Sequence, residues 1–229
     1  MEIGPGPGAL TLRLAPRAGH LIAIEIDRDL AARLRLRLPP NAEIVVGDVL
    51  RTDVARLTAD GPVRVAGNLP YNISSPILFM LLRAARGGAV VTDATLMLQL
   101  EVAERLTAPV GTHEYGVLTI LTRLHADVMR LLTLPPGAFR PMPRVRSAVV
   151  RLSFRPPAVA VDEDRFETLV RTLFSQRRKM LLNALRQFAA AIGIEPSRLL
   201  ADAGIDGTRR PETLQLTELA RLAERSASS

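Results

Sequence analysis

The run Asn68-Leu69-Pro70-Tyr71-Asn72-Ile73-Ser74 sets an amide side chain, a proline and an aromatic ring within four residues. That combination suits a planar base bearing an exocyclic amine. Asn68 Oδ1 and the carbonyl of Leu69 or Pro70 can accept both amine protons, which draws the nitrogen lone pair out of conjugation and aims it at an electrophile. Pro70 limits the backbone, and Tyr71 offers a face on which the base can stack. An electrophilic methyl on a sulfonium would then undergo in-line displacement. Positioning and electrostatics supply most of such catalysis, so no strong general base is required. Read blandly, the same residues are a turn with a half-buried tyrosine.

Three other clusters could serve this chemistry. Gly4-Pro5-Gly6-Pro7-Gly8-Ala9 precedes a helical pattern, and Glu25 ends the next strand. Glycines let a backbone turn sharply and approach a ligand, and an acid at a strand tip can accept both hydroxyl protons of a ribose. The pattern says "ribose-containing cofactor" and by itself does not separate NAD from S-adenosylmethionine, although two prolines are odd in a loop that wraps pyrophosphate. Asp48 follows the strand Ala42–Val46 and could accept from a cofactor adenine amine, or simply cap a turn. In Phe139-Arg140-Pro141-Met142-Pro143-Arg144-Val145-Arg146-Ser147, prolines would hold a loop extended. Arg140, Arg144 and Arg146 could meet phosphates there. Phe139 could stack a base opposite Tyr71, or anchor the loop to the core. Arg177-Arg178-Lys179 reads either as an RNA-backbone contact or as a solvated helix end.

These residues need a frame to hold them. The first two thirds alternate strand patterns (His20–Ile26, Ala42–Val46, Val63–Ala66, Ala94–Leu98, Val128–Leu134, Ala148–Phe154) with helical ones, as βαβ units do around a mostly parallel sheet. After Pro156-Pro157, helices are expected near Glu163–Phe174, Arg178–Ala190, Pro196–Ala203 and Leu216–Ala223, with no convincing strand. The division expected is an α/β domain over residues 1–156 and a small all-helical domain over 157–229. Only Met1–Ile3 precede the glycine turn, where a buried strand of about five or six residues is usual. The sequence therefore reads as N-terminally incomplete.

Composition narrows the classes. The 229 residues contain no Cys and three scattered histidines, which leaves no disulfide framework, thiol nucleophile or metal site to expect. No apolar stretch reaches the ~20 residues of a membrane span, and no secretory signal opens the chain; a soluble, cytoplasmic, monomeric protein is expected. The net charge of +7 sits entirely between Pro135 and Arg186, where eleven basic residues face four acidic ones. A patch of that kind meets phosphates.

Together the segments Glu2–Gly6, Glu25-Ile26-Asp27, Gly47-Asp48, Asn68–Ser74, Glu101–Arg105, Ser147–Val150 and Gln176–Lys179 resemble, in order, the KsgA/RsmA family of ribosomal RNA small-subunit (16S) adenine N6,N6-dimethyltransferases. The resemblance implies the class I S-adenosylmethionine-dependent methyltransferase fold (Rossmann-like) with a helical C-terminal domain. It implies S-adenosylmethionine held by Gly4, Gly6, Glu25, Asp48 and Asn68. The target adenine would lie against Asn68, Leu69, Pro70 and Tyr71, with Phe139 at the stacking position. The expected substrate is a hairpin loop near the 3′ end of 16S rRNA, dimethylated at two adjacent adenosines in an immature 30S particle. Family members carry a further N-terminal segment with a Gln-Asn-Phe-Leu type motif, and usually Lys where Leu100 and Arg144 stand. A catalytically impaired RNA-binding assembly factor is the alternative expectation; an NAD-dependent oxidoreductase would rest on the glycine turn alone. The 23S rRNA methyltransferases that confer antibiotic resistance typically have Ile at the Leu69 position and lack the Gln176–Lys179 run.

Overall fold

Strands such as Leu21–Glu25 (LIAIE) carry apolar residues on both faces, which suits strands covered on both sides, whereas stretches such as Arg28–Arg35 carry one apolar stripe and bury only that. The computed structural model, which describes residues 1–57, 61–87, 91–140 and 142–227, turns these patterns into a seven-stranded sheet. In chain order the elements are β1 (Glu2–Ile3), α1 (Thr11–Leu14), β2 (Leu21–Glu25), α2 (Arg28–Arg35), β3 (Ala42–Val46), α3 (Val54–Leu57), β4 (Val63–Asn68), α4 (Ser74–Arg86) and β5 (Val91–Gln99). There follow α5 (Leu100–Thr107), α6 (Val117–His125), β6 (Ala126–Leu134), β7 (Ser147–Phe154), α7 (Glu163–Ser175), α8 (Leu181–Ala184), α9 (Arg186–Ala191), α10 (Pro196–Asp202) and α11 (Leu216–Arg225).

The sheet order is β3-β2-β1-β4-β5-β7-β6. Strands β3, β2, β1, β4 and β5 run parallel to one another, and β7 is antiparallel to β5. The two-residue β1 lies centrally, and the strand order reverses beside it between β2 and β4. In open α/β sheets that reversal is where ligands bind. Gly67 permits the close fit there, since a Cβ would stand 2.9 Å from the Ile3 carbonyl oxygen.

Residues 1–103 and 127–155 form one compact unit, and residues 104–126 and 156–229 form a second. The division expected from sequence shares the boundary near Arg155 and differs over 104–126, which group with the later helices. In the first unit, Asp27 caps α2 by accepting from the Asp29 and Leu30 amides. Ala31 and Leu34 of that helix then pack with Ala23, Ile44 and Leu38.

In the second unit, Asp162 caps α7 through the Arg165 amide, and Phe166, Leu169, Val170 and Leu173 fill the core. Tyr115 is buried there: its hydroxyl donates to the Leu214 carbonyl at 2.9 Å and its ring meets Phe174 edge-on. Burial pushes its phenol up to about 12.

One expected helix is corrected. Residues 178–190 do not form a continuous helix, because Gln176–Lys179 is a turn closed by the Lys179 amide on the Gln176 carbonyl. Helix α8 starts only at Leu181, where the Leu181 and Leu182 amides donate to the carbonyls of Arg209 and Gly207. Helical periodicity alone could not show that this distant loop would supply partners for the amides at the helix start.

Candidate active site

Parallel pairing puts the carboxyl ends of four adjacent strands side by side, and each ends on, or is followed within two positions by, a residue singled out by sequence. Register aligns Ile3 with Ile24 and with Gly67, and Glu25 with Val46. Gly4, Glu25, Asp48 and Asn68 therefore follow or end β1, β2, β3 and β4 along one edge. The glycine turn is tied to that edge by the Gly4 amide on the Ile24 carbonyl at 3.0 Å, and Gly47 by its amide on the Glu25 carbonyl at 2.8 Å.

Gly4, Gly6 and Gly8 adopt φ of 67°, 55° and 87°, a region that side-chain-bearing residues rarely enter. At Gly8 a Cβ would also collide with Leu34 Cδ1, so a side chain there would displace Leu34. Glu25 is buried, and its two oxygens accept from the Gly6 amide at 2.9 Å and the Asp27 amide at 3.0 Å. Each carboxylate oxygen retains acceptor capacity beyond one bond. Glu25 therefore shapes the glycine turn from the end of β2.

Asp48 Oδ1 accepts from the Leu50 amide at 2.9 Å and so caps a short 3₁₀ turn, Val49–Arg51. The cap leaves Oδ2 3.7 Å from Arg51 Nε. The two readings offered for Asp48 are compatible, since one oxygen serves the turn.

Asn68 is exposed at the tip of β4, Leu69 is buried, and Pro70 is exposed. The segment is held by the Leu69 amide on the Met97 carbonyl at 3.2 Å and by the Ile73 amide on the Pro70 carbonyl at 3.1 Å. Tyr71 is half-buried, and its hydroxyl lies 2.7 Å from Ser147 Oγ. Phe139 is half-buried after the 3₁₀ turn Pro136–Ala138. Arg140, Arg144 and Arg146 are exposed, and Pro141 of this loop lies outside the described residues.

In the second unit, Arg178 and Lys179 are exposed, but Arg177 is turned to internal work. Its guanidinium pairs with Glu212 at 2.9 Å and donates to the carbonyls of His113 and Thr112. Among the described residues no group of three or more His, Asp or Glu side chains could hold a metal ion, and no helix is long and apolar enough to cross a membrane.

Sequence reasoning passed over several residues at this edge. Ile26, Val46 and Leu50 expose apolar side chains there, 69%, 42% and 37% accessible. Exposed apolar side chains at strand ends offer surface for the flat faces of a purine. Glu2 is buried on β1, and burial raises its carboxyl above the usual range. An apolar residue directly after the strand-ending acid was a usable signal for Ile26; nothing local marked Ser147 as the partner of Tyr71.

The chain matches the family described as "Ribosomal RNA adenine dimethylase" over residues 1–222. It is 44% identical over 227 residues to Ribosomal RNA small subunit methyltransferase A of Syntrophotalea carbinolica, covering 98% of this chain and 84% of that protein. With the protein of the same name from Geobacter metallireducens it shares 46% identity over 233 residues, or 97% and 83% of the two chains. Among solved structures, a dimethyladenosine transferase from Plasmodium falciparum superposes with a TM-score of 0.78 at 27% identity, covering 96% of this chain and 86% of that one. The 23S rRNA methyltransferase ErmE gives 0.70 at 30% identity, covering 99% and 90%.

The mostly parallel sheet, with its glycine turn and acidic strand ends beside the reversal, is the fold of class I S-adenosylmethionine-dependent methyltransferases. Within that class, the chain belongs to the ribosomal RNA adenine dimethylase family, enzymes whose cofactor is S-adenosylmethionine.

Proposed function

We propose that this protein dimethylates N6 of two adjacent adenosines in the hairpin loop near the 3′ end of 16S rRNA, acting in the cytoplasm on an immature 30S particle. The observation that carries the reading is the alignment of Gly4, Glu25, Asp48 and Asn68 on one sheet edge, with Leu69-Pro70-Tyr71 leaving its last member. The residues fit S-adenosylmethionine. The buried Glu25 carboxylate suits ribose hydroxyls, Asp48 suits an adenine amine, and Ile26 and Leu50 suit the purine faces. When bound, this cofactor supplies a methyl group on positively charged sulfur.

The chain's own residues do the rest. Asn68 Oδ1 accepts one proton of the adenine amine. The Pro70 carbonyl already accepts from the Ile73 amide, which favours the Leu69 carbonyl as the second acceptor. With both protons held, the nitrogen lone pair is directed out of the ring plane, and Tyr71 and Phe139 bound the base by stacking. Arg140, Arg144, Arg146, Arg178 and Lys179 supply positive charge for the RNA backbone. The impaired-factor alternative is not favoured, because the match to the enzyme family extends over residues 1–222.

The test is transfer of tritiated methyl groups to small subunits lacking the modification. Dimethyladenine at the paired hairpin positions is expected, and label confined to other nucleotides, or none, would refute the reading. Asn68→Ala should lower turnover by roughly 10²–10³-fold, the loss typical of removing one preorganised polar group. Thermal unfolding should stay unchanged because the Asn68 side chain is exposed.

A further inference from the structure

Tyr71 and Ser147 are 76 positions apart, yet their hydroxyls meet at 2.7 Å. Ser147 is wholly buried, a polar side chain in an apolar setting beside Ala148. Its place is set by the sheet: it opens β7 opposite Gln99 of β5, and the carbonyl before it, of Arg146, accepts from the Leu100 amide at 2.9 Å. Tyr71 is fixed at its other end, where its carbonyl accepts from Ser74 Oγ at 3.0 Å at the start of α4. The ring is thus pinned both at its backbone and at its hydroxyl. Stacking needs no hydroxyl, and phenylalanine would stack as well. The tyrosine oxygen therefore has a separate task.

We propose that Ser147 is a positioning residue for base capture: it tethers the Tyr71 hydroxyl and so joins the base-stacking ring to the segment carrying Arg144 and Arg146. The inference rests on the reading of Asn68–Tyr71 as the adenine site. Residues 142–146 run directly into Ser147, so a phosphate held by Arg144 or Arg146 and the base held by Tyr71 share one anchored junction. A tethered ring keeps its plane before RNA arrives, and preorganisation of this kind lowers the cost of reaching the reactive geometry.

Ser147→Ala deletes a single buried oxygen, and Tyr71→Phe removes the same hydrogen bond from the other side. Each should lower turnover about 5–10-fold, the order expected for one hydrogen bond converted to rate, with the KM for S-adenosylmethionine unchanged. The double variant should be no slower than either single one, because both delete the same interaction. Ser147→Thr retains a hydroxyl and should recover most of the loss.

A readout independent of RNA comes from ¹⁹F NMR of protein labelled with 3-fluorotyrosine, since Tyr71 and Tyr115 are the two tyrosines. Ser147→Ala should move the Tyr71 resonance and leave that of Tyr115 in place, which also reports that the fold persists. Full turnover in Ser147→Ala, additive losses in the double variant, or an unmoved Tyr71 resonance overturns the tether alone. Failure of the unsubstituted protein to methylate the hairpin overturns the function on which the tether rests.

Discussion

Glu25 holds the glycine turn, and the proposed function gives the same carboxylate a second task in binding. Its oxygens hold the amides of Gly6 and Asp27, so it fixes the glycine turn, and in the proposed reading the same carboxylate receives the ribose hydroxyls. Glu25→Gln keeps the size but replaces one acceptor with a donor, which must then oppose an amide N–H. A hydrogen bond to a charged group contributes about 1.5–3 kcal/mol, so calorimetry should show S-adenosylmethionine affinity falling by roughly 10–100-fold. Undiminished affinity would remove Glu25 from the cofactor site.

At the scale of elements, the sheet brings together residues that are far apart in sequence, and the helices of the second unit depend on a few buried polar ties. The Tyr115 hydroxyl, donating to Leu214, precedes α6 and is closed off from water. Its phenol is raised to about 12 by burial, against 10.0 ordinarily. A proton held more tightly in the folded state stabilises the fold fully below pH 10. That contribution, about 2–3 kcal/mol, is lost as pH rises through 12. Tyr115→Phe should be less stable than the parent at pH 8, because the Leu214 carbonyl loses its partner. The gap should narrow between about pH 10 and 12 in urea titrations. A gap that does not change with pH would contradict the assignment.

For the whole molecule, the charge concentrated between Pro135 and Arg186 divides into two kinds of arginine. Arg177 is bound to Glu212 and to two carbonyls within its own unit, whereas Arg178 is exposed. Arg177→Ala should lower stability by about 1–3 kcal/mol and leave the salt dependence of RNA binding nearly unaltered. Arg178→Ala should leave thermal unfolding in place and reduce the slope of log affinity against log salt by about one. The reverse pattern in filter binding and calorimetry would reassign both residues.

Local pattern was enough for much of this protein. Alternating strands and helices, the glycine turn, the acids at strand tips and the Asn68–Tyr71 run are short-range features. Parallel pairing of βαβ units has few topologies, so the sequence by itself determined the class of fold and the edge where the motifs would gather. Other properties awaited the tertiary structure because they depend on groups far apart in the chain. Residues 104–126 packed with the second unit, the helix expected over 178–190 yielded to the 207–209 loop, and Arg177 found Glu212. Tyr71 likewise found Ser147 across 76 positions. A hydrogen bond needs its partner within about 3 Å, and sequence spacing does not carry that distance when the partner arrives from another strand.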